Sequence, residues 1–188
     1  MEKPTIRNDD VLQSSMFTPH QRDDIAGRDL FQLFLKADRY FGDFRQTLAV
    51  ISDGIEVFPE WTEHIKRNKH RYDIQLHGEH HYNYKHLAED RAVESLKRAK
   101  AEIEKAFGVE VTTWYPPFGR RGTPKDMEKI CERVGTMPYF QVGKVDAKLW
   151  FRNPRKYQHI NFHFWNDKQV ETIRDILCRI REENLSRG

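Results

Sequence analysis

The sequence predicts an α/β fold built on a parallel sheet or barrel, and three observations predict it. Strand-like segments and segments with helical apolar spacing alternate along the chain, the order expected of parallel strands joined by crossover helices. The 188 residues suit one domain and are enough to bury a sizeable core. The acids and histidines that could carry chemistry fall at or just past the ends of the strand-like segments, where folds of this class gather function.

Taken in order, residues 5–10 form a short strand ending in two acids. Residues 26–41 are helical, with Leu30, Phe31, Phe34, Leu35 and Tyr40 at roughly helical spacing. Residues 46–54, QTLAVISDG, are an apolar run closed by Asp-Gly, which reads as a buried strand and a turn. Ile55, Phe58, Trp61 and Ile65 mark a helix over 55–68. A short alternating strand, 73–77, delivers His77 at its end. The clearest helix spans 84–107: Leu87, Ala88, Ala92, Leu96, Ala99, Ile103 and Phe107 share a face and Gly108 is its stop. Residues 109–114 are a strand leading into YPPFG. Thr123 caps a helix over 123–135, with Pro124 in its first turn and Gly135 as its stop. Residues 137–145 and 158–165 are the last strands, the second with His159, Asn161 and His163 on one face. Asn166 or Asp167 caps a final helix to about Asn184.

Composition narrows the function classes. Aromatic residues make up 12% of the chain, so it is not a disordered composition. Charged residues reach 32% but nearly cancel, leaving +3, a weak argument for an anionic partner. The basic run HIKRNKHR, 64–71, alternates with apolar helix positions and reads as a solvated face, against nucleic-acid binding. Cys131 and Cys178 fall in helical stretches and read as buried free thiols. No secretory signal and no apolar run of membrane-spanning length is visible, so a cytoplasmic protein with no membrane partner is expected.

The chemistry concentrates in a few places. Asp9 and Asp10 are adjacent acids at a strand end. LHGEHHY, 76–82, holds three of the nine histidines. His77 and His81, four apart, would share a face in a helical turn; His80 could replace His81, but its spacing is less familiar. Two imidazoles and one carboxylate make a three-ligand site with an open position, the pattern of a catalytic rather than a structural zinc. His64, His70, His86 and His159 have no evident partners in sequence and read as solvated or packed. In WYPPFG, 114–119, two prolines stiffen a loop and remove two donors. A rigid aromatic turn explains that loop as well as a fixed Phe118 amide aimed at a developing oxyanion does.

These pieces, in this order, resemble the polysaccharide deacetylases, carbohydrate esterase family 4, also called the nodulation-deacetylase homology domain. The family's opening double Asp is matched by IRNDDV, its His-three-residues-His motif by 77–81, its Pro-rich motif by WYPPFG, and its late hydrophobic-x-His strand by INFHF. The likeness runs from Thr5 to about Asn184. It implies a distorted (β/α) barrel of about seven strands, TIM-barrel-like, with all 188 residues forming one catalytic domain. It implies a divalent metal, zinc in particular, held by Asp10, His77 and His81. Asp9 would be the general base, His163 the general acid, and the Phe118 amide part of the oxyanion site. The substrate would be an N-acetylated carbohydrate.

The chain also departs from the family. Tyr115 stands where the motif carries an Arg that pairs with the base; its hydroxyl can hydrogen-bond but brings no charge. Arg120, Arg121 or Arg7 could take over. RNDDV replaces Thr-Phe-Asp-Asp-Gly, and Gly78 stands where Ser or Thr is common. Asp146, with Trp150 following, is the candidate for orienting His163. These changes suggest a divergent branch. Two alternatives to N-deacetylation follow: hydrolysis of O-acetyl esters or other non-peptide amides, and a degenerate barrel that only binds glycans.

Overall fold

The computed structural model describes residues 5–14, 25–139 and 159–185. Among them are strands β1 (Thr5–Val11), β2 (Gln46–Ile51), β3 (Tyr72–Gly78), β4 (Thr113–Trp114), β5 (Met137–Pro138) and β6 (His159–His163). The helices are α1 (Leu30–Arg39), α2 (Pro59–Arg67), α3 (Glu89–Phe107), α4 (Met127–Val134) and α5 (Asp167–Leu185). The strands hydrogen-bond in the order β5-β4-β3-β2-β1-β6. The pairs β1–β6, β3–β4 and β4–β5 are parallel, as the alternation of elements predicts. No helix of the described residues is long and apolar enough to cross a membrane.

The described residues fall into two compact units. The first contains 5–9, 25–46 and 159–185. Here β1 pairs with β6 in register from Thr5 opposite His159 to Asp9 opposite His163. Apolar residues alternate along β6, so Ile160 and Phe162 are buried while Asn161 and His163 are only partly so. Phe162 stacks on Phe41 with ring centroids 5.9 Å apart, and Phe164 meets Phe34 edge-on at 6.1 Å. Helix α5 buries Val170, Ile173, Ile176, Leu177 and Ile180, an apolar stripe at helical spacing. Asn166 is the residue that caps it, accepting the Gln169 amide at 3.1 Å.

The second unit contains 10–14 and 47–139. Helix α3 lies on β3 and α4, burying Ala92, Val93, Leu96, Ala99, Ile103 and Phe107. It ends at Gly108, whose φ of 61° is the left-handed cap that glycine accepts without strain. Its N-terminal end is later than the apolar spacing predicts, because residues 84–86 form a separate 3-10 turn. The predicted start of α4 also shifts. Thr123 gives its hydroxyl to the Gly119 carbonyl at 2.9 Å instead of capping, and the helix begins at Met127 after Asp126.

Of the predicted strand 109–114 only the last two residues pair as a strand. The Gln75 side-chain carbonyl takes the Thr112 and Thr113 amides at 3.0 and 2.9 Å, replacing sheet hydrogen bonds upstream. Of the strand predicted over 137–145, residues 137 and 138 pair, and those from 140 lie outside the described residues. Cys131 is buried as expected. Cys178 is exposed, because it falls on the solvent side of α5 between the buried Leu177 and Ile180.

Candidate metal centre and acid–base groups

The sheet rule of function at the C-terminal ends of parallel strands applies strand by strand. Asp9 and Asp10 lie near the end of β1, His77 is the penultimate residue of β3, Tyr115 follows β4, and His163 ends β6. Asp10 has a φ of 61°. That breaks the pleat, which otherwise sends consecutive side chains to opposite faces; Asp tolerates this region better than most residues.

In the second unit Asp10, His77 and His81 converge, all buried, with donor atoms within 4.8 Å of one another. The Asp10 Oδ1 lies 3.2 Å from His77 Nε2 and 3.1 Å from His81 Nε2. Around a zinc with ligands at ~2.0–2.1 Å, tetrahedral geometry puts neighbouring donors about 3.3 Å apart, and both separations fit it. The His77 ring has one usable orientation. Its Nδ1 donates to the Tyr115 carbonyl at 2.6 Å, so the Nε2 lone pair faces Asp10. The His77 carbonyl in turn accepts the Trp114 indole N–H at 3.1 Å, and Tyr115 N–H bonds the Leu76 carbonyl at 2.8 Å. The donor set, its burial and this tautomer suit a borderline divalent ion.

The two histidines are not brought together by a helical turn. His77 is still in β3, and residues 79–81 form a bend. Its geometry explains Gly78: a Cβ there would lie 2.8 Å from the Tyr84 hydroxyl and 2.8 Å from the His80 carbonyl, too close for Ser or Thr. The Tyr84 hydroxyl accepts the Glu79 amide at 3.3 Å and meets Ser95 Oγ at 3.4 Å. Burial pushes this phenol up to about 12, so it stays neutral. Burial also pushes the Glu79 carboxyl up, but two 2.9 Å hydrogen bonds from Arg98 outweigh it and hold the group below its ordinary value. The bend is thus braced from α3.

His80, the alternative to His81 as a ligand in the sequence, is anchored elsewhere: its Nδ1 lies 3.0 Å from Asp53 Oδ2. Phe118 is exposed and its ring lies 4.5 Å from that of His81. Its φ of 61° is strained for a residue with a side chain. Among the described residues its amide donates no backbone hydrogen bond.

In the first unit Arg7 grips Asp9 through two parallel hydrogen bonds, Nε to Oδ1 at 2.6 Å and Nη2 to Oδ2 at 2.9 Å. Of the arginines considered to replace the motif Arg, this one pairs with Asp9; alternation on β1 puts residues 7 and 9 on one face, a signal present in the sequence. Asn161 Nδ2 adds a third bond to Asp9 at 3.3 Å. Tyr115 is placed by its backbone against His77 and by its ring against Tyr139, with centroids 4.5 Å apart. His163 Nδ1 meets Gln169 Oε1 at 3.1 Å, and the same oxygen accepts the His163 amide at 2.8 Å. Sequence reasoning missed Gln169. The pattern Asn166-x-x-Gln169 resembles a capping box, whose glutamine reaches back across the helix start, and could have pointed to it. Asp146, Trp150 and the side chain of Arg120 lie outside the described residues.

A sequence model of the family described as polysaccharide deacetylase matches residues 42–138, more than half of the chain. The chain belongs to the polysaccharide deacetylase family. Solved structures resemble this deacetylase-family chain along nearly all of its length. A carbohydrate esterase family 4 pseudoenzyme from Bacillus anthracis aligns with a TM-score of 0.69 at 12% identity, over 97% of this chain and 62% of its own. A polysaccharide deacetylase from Bacillus cereus aligns at 0.66 and 16%, over 98% and 89%. A family 4 carbohydrate esterase from Streptomyces lividans, solved with acetate, aligns at 0.67 and 16%, over 96% and 88%. At these identities the likeness shows the fold, the α/β barrel type that the motifs imply. The chain spans less than two thirds of the pseudoenzyme's length. No curated protein sequence matches it.

Proposed function

We propose that this polysaccharide deacetylase family member is a metal-dependent hydrolase that removes N-acetyl groups from an amino sugar or polysaccharide, all 188 residues serving as one catalytic domain. The convergence of Asp10, His77 and His81 on one buried point carries the reading. A divalent ion held there, zinc being the first candidate, would supply Lewis acidity and ready deprotonation of water.

The remaining roles fall to the chain's own groups. Asp9 takes the proton of the attacking water. The Arg7 fork offsets its charge and fixes its orientation, the task that Tyr115 cannot perform. The Phe118 amide donates to the developing oxyanion. His163 donates a proton to the leaving nitrogen through Nε2, its Nδ1 being held by Gln169, an acceptor without charge. Acetate and a free amine are the products. The Asp9–Arg7 pair also supports catalysis over glycan binding alone, since a binding site needs no such clamped carboxylate.

The test is acetate release from N-acetylglucosamine oligomers by zinc-loaded protein, abolished by chelation and restored by metal. Asp9→Asn should lower turnover at least about 100-fold, the usual worth of a general base, while zinc still binds stoichiometrically. Full activity in that variant would remove Asp9 as the base. Parallel trials on O-acetylated sugars separate an amidase from an esterase.

A further inference from the structure

The mechanism above leaves one ordered group unused beside the metal ligands: the pair His80–Asp53. The Asp53 side chain is 6% exposed, that of His80 33%. Asp53 follows β2, in the 3-10 turn Ser52–Gly54. Its Oδ1 accepts the Ser14 amide at 2.9 Å, its carbonyl accepts the Ser14 hydroxyl at 3.3 Å, and its own amide bonds the Glu79 carbonyl at 3.0 Å. The carboxylate is therefore fixed, and its second oxygen takes the His80 Nδ1. The Tyr82 ring meets the His80 ring edge-on at 5.0 Å. A surface salt bridge needs none of this support. It is the arrangement that fixes the tautomer and direction of an imidazole whose other nitrogen has a task.

We infer that His80, aimed by Asp53, is a substrate-positioning residue whose Nε2 contacts a hydroxyl of the bound sugar. Three features of the second unit carry this. His80 lies in the bend 79–81 that joins the two histidines of the metal group, His77 and His81. The Nδ1 end is anchored on a buried carboxylate while part of the ring is exposed. Phe118, exposed and 4.5 Å from His81, gives an apolar ring face beside the same ligand, as sugar rings require. A polar contact and an aromatic face would then flank the metal ligands. The inference rests on the proposed sugar deacetylation for its substrate, not for its geometry.

Two conservative variants separate positioning from structure. The amide of His80→Asn falls where Nδ1 was and keeps the bond to Asp53. That of His80→Gln falls where Nε2 was and keeps the outer contact. KM and kcat for acetate release from N-acetylglucosamine oligomers are measured beside zinc content and the calorimetric Kd of the same oligomers. Positioning predicts that His80→Asn raises KM and Kd about 5- to 10-fold, the worth of one neutral hydrogen bond. Zinc content and kcat should stay within about twofold, with His80→Gln closer to wild type. Asp53→Asn should weaken binding in the wild type but add little in the His80→Asn background. A purely structural pair gives the reverse: His80→Asn behaves as wild type and His80→Gln is the impaired variant, which overturns the inference and leaves the deacetylase reading intact. Wild-type protein that binds oligomers without releasing acetate, and loses that binding in His80→Asn, overturns deacetylation and keeps the inference. Wild-type protein that neither binds nor hydrolyses the oligomers overturns both.

Discussion

Arg7 is the single residue on which the proposed base most depends. Its side chain and that of Asp9 are 8% and 7% exposed, so the pair is nearly out of solvent. Removing one member of such a pair leaves a charge badly solvated. Arg7→Met should therefore cost about 3 kcal/mol in urea unfolding and lower acetate release as well. Arg7→Lys keeps the charge but not the fork, and should fall between. Unfolding curves and turnover on the same preparations check both, and unchanged turnover in Arg7→Met would mean that Asp9 needs no clamp. At this scale the sequence was partly legible. Asp9, Asp10, His77 and His81 could be singled out because their order and spacing are unusual. Arg7 stood only as one of three candidate arginines, since alternation says which side chains share a strand face but not which of them meet. Asp53 was invisible, because it meets its histidine through tertiary folding: 27 residues separate it from His80. Gln169, by contrast, meets His163 locally and left a trace only in the capping-box pattern with Asn166.

Helix α3 and the segment after it illustrate how an element is held. Lys69 Nζ reaches the Phe107 and Gly108 carbonyls at 3.3 and 3.4 Å, a cation on the negative end of the helix. Much of the basic run 64–71 is thus surface and helix-capping charge. Glu104 ties the helix to the chain beyond it, its Oε1 accepting the Val111 amide at 3.0 Å and Lys100 Nζ at 2.6 Å. Burial pushes the Glu104 carboxyl up, but the Lys100 and Val111 hydrogen bonds outweigh it and hold it below its ordinary 4.5. The sign follows: the unfolded chain binds the proton more readily, so the contribution is complete above pH 4.5 and is lost as pH falls through the lower folded value. Glu104→Gln should flatten that part of the stability profile between pH 5 and 3, roughly the window in which linkage of this kind acts. Superimposable wild-type and variant profiles would show that the link carries no weight. Apolar periodicity located the body of α3 and its glycine stop. It could not place the start, where a 3-10 turn continues the same apolar face.

For the whole molecule, alternation of strand and helix gave the fold class, and the ordered motifs gave the family. The division into two compact units was not legible, because apolar patterning reports which faces are buried and not which segments are buried together. Metal is expected to act on this scale. An ion bound by the folded chain at 100 times its Kd adds about 2.7 kcal/mol, which for a chain of this size raises the melting temperature by roughly 5–10 °C. Zinc added to chelator-treated protein should produce that shift, and Asp10→Asn should remove it; a shift that survives the substitution would place the ion elsewhere.

The two-residue strand β4 has a consequence for how the protein comes to be able to bind a cation at all. Tyr115, which fixes the His77 tautomer, is 38 residues away along the chain. Closing that span costs entropy before any coordination is gained. A chain with α3 formed but β4 undocked still carries both imidazoles, each free to present either nitrogen. Cation uptake should then lag behind helix formation in refolding, and a bound ion would act as a clasp on the long-range pairing rather than a seed for it.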